Sequence, residues 1–142
     1  MSYAEKRKVW EAFYAVYSKE SHGIDEVEMY IEKVCNSAVI IGAYDGKKIV
    51  GFVAFYANDY ESKVAYITQI LVIDQYRNRK IGEMLINACQ DKCREKGFTI
   101  LKLEVNKNNE NAQGFYEHLN FKKEVEKEKS YYMIKKIWYG GL

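Results

Sequence analysis

Basic side chains are concentrated just before a predicted helix in the middle of the chain. Arg77, Arg79 and Lys80 follow a predicted strand, and the helix opens at Gly82. The first turn of a helix carries N–H groups without partners and the positive end of the helix dipole. With cations nearby and a residue that has no side chain, such a turn can bind a phosphate or pyrophosphate. The alternative interpretation is an ordinary strand-to-helix loop with solvated basic residues.

The cysteines and histidines form no comparable pattern. Cys89 and Cys93 lie four apart on one predicted helix, which would allow a metal or redox pair, but no histidine or third thiol completes a site. We interpret both as small apolar residues on the buried face of the helix. His22 and His118 have no sequence partner that indicates a ligand or a base, so we interpret them as structural or solvated. The sequence therefore predicts no metal site.

The elements that position these residues follow from hydrophobic periodicity and turn signals. Asp45-Gly46 between two β-branched runs predicts a hairpin, and Gly97 predicts a helix C-terminus. In chain order, we predict helices over residues 4–17 and 27–34, strands over 38–44, 47–57 and 64–72, a helix over 82–96, a strand over 98–105, a helix over 112–119, and strands over 121–125 and 131–137. This order predicts an α/β fold in which helices pack on a mixed sheet.

Length and charge limit the classes of function. The 142 residues predict a single domain spanning 1–142, with 48% hydrophobic and 30% charged residues, as in soluble globular proteins. The net charge of +2 gives no reason to expect a nucleic-acid or membrane partner. The N-terminal sequence lacks the apolar run of a signal peptide, and no stretch reaches membrane-spanning length. We therefore expect a cytoplasmic protein.

Two segments resemble a known family. The sequences ITQILVIDQYRNRKIGEMLI and LEVNKNNENAQGFYEHLNF are similar to the GNAT superfamily of N-acetyltransferases. That family has a strand ending L-x-V, a loop R/Q-x-x-G/A-x-G/A that opens a helix, and later a segment N-x-x-A-x-x-(F/L)-Y. The matching residues of this chain are Leu71 after Ile70, Val72, Arg77, Gly82, Asn109, Ala112, Phe115 and Tyr116. The resemblance extends over about residues 38–137, with both motifs in the family's order.

The resemblance implies a GNAT-type acyl-CoA N-acyltransferase fold and acetyl-CoA as co-substrate, without a metal. The third strand and the L-E-V strand should splay apart, with pantetheine paired to the backbone of Ile70–Val72 and pyrophosphate on the loop amides. The residues implied to bind the cofactor are Ile70, Leu71, Val72, Arg77, Asn78, Arg79, Lys80, Ile81, Gly82, Glu83, Asn109 and Ala112.

Two positions depart from the family pattern. Lys80 stands where the family has its first small loop residue, and we expect the loop to use its backbone N–H while the ammonium points outward or reaches a phosphate. Asn120 stands where the family usually has glycine. Asparagine is the next best residue for a left-handed backbone, so we expect the same C-cap.

The resemblance also implies catalytic roles. Tyr116 matches the family's proton donor to the departing CoA thiolate, a task that suits a phenol; packing is the alternative. Glu104 matches the glutamate that some relatives use as proton acceptor, and strand alternation puts it with Lys102 on the face opposite Leu101 and Leu103. The alternative is a structural carboxylate that pairs with Lys102 or orders the following loop. Asn109 would contact the cofactor, cap the next helix, or both.

These features predict an N-acetyltransferase that moves an acetyl group from acetyl-CoA to a primary amine of a small molecule or a protein N-terminus. The alternative is a non-catalytic acyl-CoA-binding sensor or scaffold. A nucleotide-binding protein is disfavoured because the chain has no Gly-x-x-x-x-Gly-Lys-Ser/Thr or Gly-x-Gly-x-x-Gly motif. The sequence has no acidic cluster that would favour a polycationic acceptor. It leaves open whether the protein forms a homodimer.

Overall fold

The computed structural model describes residues 1–18, 24–77 and 79–138, so the predictions for His22 and Asn78 lie outside it. The predicted order of elements is confirmed. The elements are α1 Tyr3–Ser18, α2 Ile24–Ser37, β1 Val39–Asp45, β2 Lys48–Tyr56, β3 Val64–Val72, a 3-10 turn Asp74–Tyr76, α3 Ile81–Glu95, β4 Ile100–Asn106, α4 Glu110–His118, β5 Lys122–Glu126 and β6 Ser130–Lys136. The 3-10 turn was not predicted, because three polar residues after a strand have no periodicity that distinguishes a turn from a loop.

The strands of the described chain form one mixed six-stranded sheet in the order β1-β2-β3-β4-β6-β5. β1 and β2 are the predicted antiparallel hairpin, closed where Asp45 pairs with Lys48. β3 and β4 are parallel, and their ladder joins Val64–Ile67 to Ile100–Leu103. That ladder ends at Ile67 although β3 continues to Val72, so the backbone of Ile70–Val72 lies beyond it.

The chain divides into two compact units. The first contains Met1–Phe55 and Gln69–Ile86. Its core is aromatic: the Trp10 ring lies 5.0 Å from that of Phe52, and the Phe13 ring lies 5.1 Å from it, both in edge contacts. Such pairs add about 0.5–1.5 kcal/mol to the burial of the rings. This unit carries the end of β3 and the first turn of α3.

The second unit contains Tyr56–Thr68 and Asn87–Leu142. The predicted alternation of β4 is confirmed, since Leu101, Leu103 and Val105 are buried whereas Glu104 is exposed. Two helices of the chain end as predicted in left-handed residues, Gly97 after α3 with φ 84° and Asn120 after α4 with φ 75°. The glycine-to-asparagine departure therefore keeps the backbone conformation that the family uses.

Candidate active site

The first turn of α3 depends on the backbone of Lys80. Lys80 has φ 61°, in the left-handed region, and its carbonyl accepts the first bond of the helix from the Met84 N–H at 3.0 Å. The N–H groups of Ile81, Gly82 and Glu83 therefore have no carbonyl partner within the helix. Lysine has no side-chain acceptor that could cap them. The turn thus presents N–H donors that no carbonyl of the helix and no Lys80 side-chain atom accepts from, and the small residue that the family places here suits the left-handed backbone.

Tyr76 links this loop to the β1–β2 hairpin. Its hydroxyl donates to the Asp45 carboxylate at 2.5 Å, and this hydrogen bond raises the pKa of Tyr76. The Arg79 guanidinium lies 4.8 Å from the centre of the Tyr76 ring, and the Lys48 ammonium lies 5.6 Å from it. The ring thus supports Arg79 while the hydroxyl ties the turn to the hairpin. Sequence reasoning missed this link because its partners are 31 residues apart.

Arg77 is a further loop cation that we predicted to bind the cofactor, besides Arg79 and Lys80. Its guanidinium forms an ion pair with Asp74 at 3.2 Å, and 62% of its side chain is exposed. An ion pair this exposed contributes little to stability, so Arg77 can exchange Asp74 for a phosphate at small cost.

Gly51 lets β2 approach the end of β3 closely. A Cβ at residue 51 would lie 3.0 Å from the Leu71 carbonyl oxygen and 3.3 Å from side-chain atoms of Leu85 and Val72. Any side chain there would press on the backbone that we predicted to pair with pantetheine. Sequence reasoning missed this close approach at Gly51, since a lone glycine in a strand does not indicate which neighbour comes close.

α4 begins at Glu110, two residues before the predicted start at Ala112, because the first helical residue directly follows the cap at Asn109. The Asn109 side chain accepts from the Ala112 N–H at 3.0 Å, which confirms the predicted cap and is worth about 1 kcal/mol. The Gln113 amide donates to the carbonyls of Asn106 and Lys107 at 3.0 and 2.9 Å. Asn109 and Gln113 therefore order this loop, and the Ala112 N–H is already occupied.

Tyr116 is buried near the end of α4. Only 9% of the residue is exposed, and its ring packs against Phe115 and Phe121 at centroid distances of 5.3 and 5.6 Å. Burial raises the pKa of Tyr116 to about 12. In the described part of the chain, no side chain or carbonyl forms a hydrogen bond with its hydroxyl. The phenol therefore stays protonated at neutral pH and keeps its O–H available to donate.

Glu104 belongs to a polar cluster, the Glu104 cluster, formed by Glu104, Ser130, Lys127, Tyr132 and Tyr66. The carboxylate accepts from the Ser130 hydroxyl at 2.5 Å and from the Lys127 ammonium at 3.1 Å. The hydrogen bond from Ser130, followed by that from Lys127, lowers the pKa of Glu104. Lys127 is thus its ion-pair partner, in place of the Lys102 considered from the sequence. This carboxylate attracts cations at neutral pH but is a weak base.

The two tyrosines of the Glu104 cluster surround this carboxylate. Tyr132 lies opposite Glu104 in the β4–β6 ladder, and Tyr66 lies opposite Lys102 in the β3–β4 ladder. Burial, with the Glu104 charge as the next cause, raises the pKa of Tyr66. Tyr66 could have been found from the sequence, because alternation with buried Ala65 and Ile67 sends it to the other face. Ser130, Lys127 and Tyr132 depend on the register of β6, which no local pattern predicts.

The cysteines behave as interpreted from the sequence. Cys35, Cys89 and Cys93 are buried free thiols, and burial raises the pKa of Cys89. Within residues 1–18, 24–77 and 79–138, no group of three or more His, Cys, Asp or Glu side chains could hold a metal ion. None of the helices in those ranges combines the length with the apolar character that a bilayer crossing needs.

Known proteins similar to this chain share its fold and one family description. The model of the acetyltransferase (GNAT) family matches residues 6–121. An uncharacterized N-acetyltransferase of Methanocaldococcus jannaschii is 39% identical over 85 residues, which cover 56% of this chain and 38% of that protein. A Bacillus subtilis protein named as a candidate ribosomal protein bS18-alanine N-acetyltransferase is 40% identical over 52 residues, covering 37% of this chain and 34% of that protein. The matches thus span little more than a third of either relative.

A solved structure extends the likeness over nearly the whole chain. An aminoglycoside 6'-N-acetyltransferase complexed with coenzyme A superposes with a TM-score of 0.78 at 18% identity, covering 96% of this chain and 92% of the other. At this identity the superposition establishes the fold. The family match covers most of the sequence and agrees with that fold, so the chain belongs to the GNAT acetyltransferase family.

Proposed function

We propose that this protein transfers an acetyl group from acetyl-CoA to a primary amine of a small molecule or a protein N-terminus. The observation that carries the proposal is the first turn of α3, where the left-handed Lys80 precedes three helix N–H groups without intrahelical partners. A pyrophosphate is the ligand that such a turn accommodates. Two relatives support this cofactor and reaction, the aminoglycoside acetyltransferase that holds CoA and the candidate bS18-alanine acetyltransferase.

The cofactor would bind through the first unit. The pyrophosphate would accept from the N–H groups of Ile81, Gly82 and Glu83, with Arg77 and Arg79 supplying positive charge. The pantetheine amides would pair with the backbone of Ile70–Val72, which lies beyond the β3–β4 ladder. Asn109 and Ala112 were predicted as further cofactor contacts. In the α4 cap, the Ala112 N–H donates to the side-chain oxygen of Asn109, so both groups are engaged. The side-chain NH₂ of Asn109 is then the donor that this pair offers to the cofactor.

Tyr116 would act as the general acid. The amine nitrogen attacks the thioester carbonyl carbon, the carbon–sulfur bond breaks, and the thiolate takes the Tyr116 proton. A phenol with a pKa of about 12 holds its proton until a strong base forms. A thiolate released out of water is such a base, because desolvation raises the pKa of a thiol as it does that of a phenol. The attacking nitrogen must lose one proton to become a neutral amide, and the tyrosinate recovers its proton from that nitrogen or from solvent.

Glu104 would serve the acceptor amine. Its lowered pKa suits a carboxylate that stays ionised and attracts an ammonium, and because 36% of its side chain is exposed, water beside it can take the ammonium proton. This assigns electrostatic attraction to Glu104 and proton acceptance to water, a milder demand on a weak base than direct deprotonation of an ammonium.

Thiol release from acetyl-CoA in the presence of amines tests the proposal. We expect free CoA to appear only when an accepted amine is added, together with the acetylated amine by mass spectrometry. The panel should include amino acids, amino sugars, aminoglycosides and peptides with free N-termini. Acetyl-CoA binding without thiol release for any member would instead establish the non-catalytic sensor or scaffold.

A further inference from the structure

Two neighbouring tyrosines of β6, Tyr131 and Tyr132, each lie between two lysines. The ammonium groups approach the ring centres to 4.3–5.3 Å, with Lys102 and Lys127 at Tyr132, and Lys107 and Lys123 at Tyr131. Because consecutive strand residues point to opposite faces, the two tyrosines place their lysines on opposite sides of the sheet. Tyr132 shares its side with Glu104, its partner in the β4–β6 ladder.

Lys102 and Lys127 both contact the Tyr132 ring, but they differ in their ion pairs. Lys127 is paired with Glu104 at 3.1 Å, and across the sheet Lys107 is paired with Glu126 at 2.7 Å. Lys102 is half-buried, and no carboxylate in the described ranges lies within ion-pair distance of its ammonium. An ammonium held against an aromatic ring with reduced hydration gains from a bound anion. Lys102 is therefore a half-buried cation available to an anion on the side of the sheet that carries Glu104.

Lys102 and Glu104 present opposite charges on one face of β4, and Lys127 lies beside Glu104 as its ion-pair partner. They are two residues apart on β4, so their Cα atoms are separated by about 7 Å and their side chains leave the same face. Phenols flank both, because Tyr66 lies opposite Lys102 and Tyr132 lies opposite Glu104. Such a face is complementary to a small molecule with an amine and an anionic group several ångströms apart.

We propose that Lys102 determines acceptor specificity by binding an anionic group, a carboxylate or a phosphate, of a small amine whose nitrogen is directed to Glu104. This inference rests on the proposed N-acetyltransferase function. It excludes simple alkylamines and polycations as preferred acceptors, since they offer nothing to Lys102 and would meet its positive charge.

Matched pairs of probes test the inference. γ-Aminobutyrate is compared with butylamine, and O-phosphoethanolamine with ethanolamine, so that each pair differs in one anionic group and the two pairs separate carboxylate from phosphate. Thiol release gives kcat/KM, and calorimetry on the CoA-loaded protein gives Kd. Lys102→Met removes the charge and keeps most of the aliphatic stem. Lys123→Met is the matched control, because that ammonium lies 4.4 Å from the ring centre of Tyr131 on the other side of the sheet.

In the wild-type protein, we expect at least one anionic probe to bind about ten- to a hundredfold more tightly than its neutral partner, the range for a hydrogen bond to a charged group. Lys102→Met should remove that preference without changing the melting temperature or the Kd for acetyl-CoA, whereas Lys123→Met should keep it. Equal binding within both pairs, or a preference that survives Lys102→Met, overturns the inference. Lys102-dependent binding without thiol release would sink the N-acetyltransferase proposal and leave the anion site standing.

Discussion

Replacing Lys80 with glycine should stabilise the protein and leave acetyl-CoA binding intact. Lys80 is held at φ 61°, where a residue with a Cβ is strained by about 1–2 kcal/mol. Glycine removes that strain but loses about 0.5–1 kcal/mol more conformational freedom on folding. The net gain is therefore about 0–1.5 kcal/mol, with a midpoint of about 0.75 kcal/mol. Over 142 residues, with an unfolding entropy of about 2.1 cal/mol/K per residue, the midpoint raises Tm by about 2–3 °C.

Lys63→Gly is the matched control, since Lys63 has φ 60° in the turn before β3. It should give a similar or slightly smaller rise in Tm, because its ammonium also lies 5.3 Å from the centre of the Tyr60 ring. Scanning calorimetry measures both shifts, and titration calorimetry measures the Kd for acetyl-CoA. A lower Tm for Lys80→Gly would refute the strain argument. A tenfold weaker Kd for Lys80→Gly alone would show that the ammonium itself holds the phosphates.

Four further substitutions test other residues of the site. Gly82→Glu should abolish acetyl-CoA binding in calorimetry, because it puts bulk and negative charge beside the proposed pyrophosphate; retained binding would place the phosphates elsewhere. Tyr116→Phe should lower kcat by about ten- to ten-thousandfold with an unchanged Kd for acetyl-CoA, and full activity would remove Tyr116 as the acid. Tyr76→Phe keeps the ring under Arg79 but loses the bond to Asp45, so the Kd for acetyl-CoA should rise by about two- to tenfold; no change would make that link irrelevant to the loop. Glu104→Gln should lower Tm at neutral pH by an amount that shrinks as pH falls below the ordinary glutamate pKa of about 4.3. The reason is that the pKa of Glu104 is lowered in the folded protein, so the stabilisation by Glu104 is lost as acid protonates it. A Tm difference between Glu104→Gln and the wild type that does not change with pH would contradict the pairing of the Glu104 carboxylate.

Local patterns were sufficient for most of the fold. The alternation that buries Leu101 and Leu103 has a period of two residues, and the stops at Gly97 and Asn120 depend on one residue's backbone preference. Both signals are contained in a few neighbouring residues, so the sequence alone carries them. The start of α4 was placed two residues late because Ala112 was taken as the first helical residue, whereas the cap at Asn109 sets it.

The candidate site was only partly predictable, for a different reason. The loop from Arg77 to Gly82 is contiguous, so its cations and helix start can be recognised together. The partners of Glu104 cannot, because Ser130 and Lys127 reach it through the register of β4 with β6 across more than twenty residues. The sequence offered Lys102 as the nearest cation, but side chains two apart on a strand extend in parallel, and the ladder brings Lys127 to the carboxylate.

The resemblance of two short motifs predicted the family, and the match over residues 6–121 confirms it. The motifs are informative because they require both a backbone conformation and a chemical group. At the start of α3, for example, a left-handed residue precedes N–H groups that have no carbonyl partner in the helix. They contain nothing that identifies the acceptor, whose recognition we assign to Lys102, outside both segments, beside Glu104 of the L-E-V strand. Acceptor identity must therefore come from side chains that the family pattern does not specify.

The most direct test of the central claim is a titration of ¹⁵N-labelled protein with CoA, followed by amide chemical shifts. If the cofactor binds as proposed, the largest shifts belong to Ile81, Gly82 and Glu83, whose N–H groups receive the pyrophosphate, and to the backbone of Ile70–Val72. ATP at equal concentration should shift the first group less and leave the second unchanged, because it has no pantetheine. Saturable CoA binding that leaves the amides of Ile81–Glu83 unshifted would contradict the account.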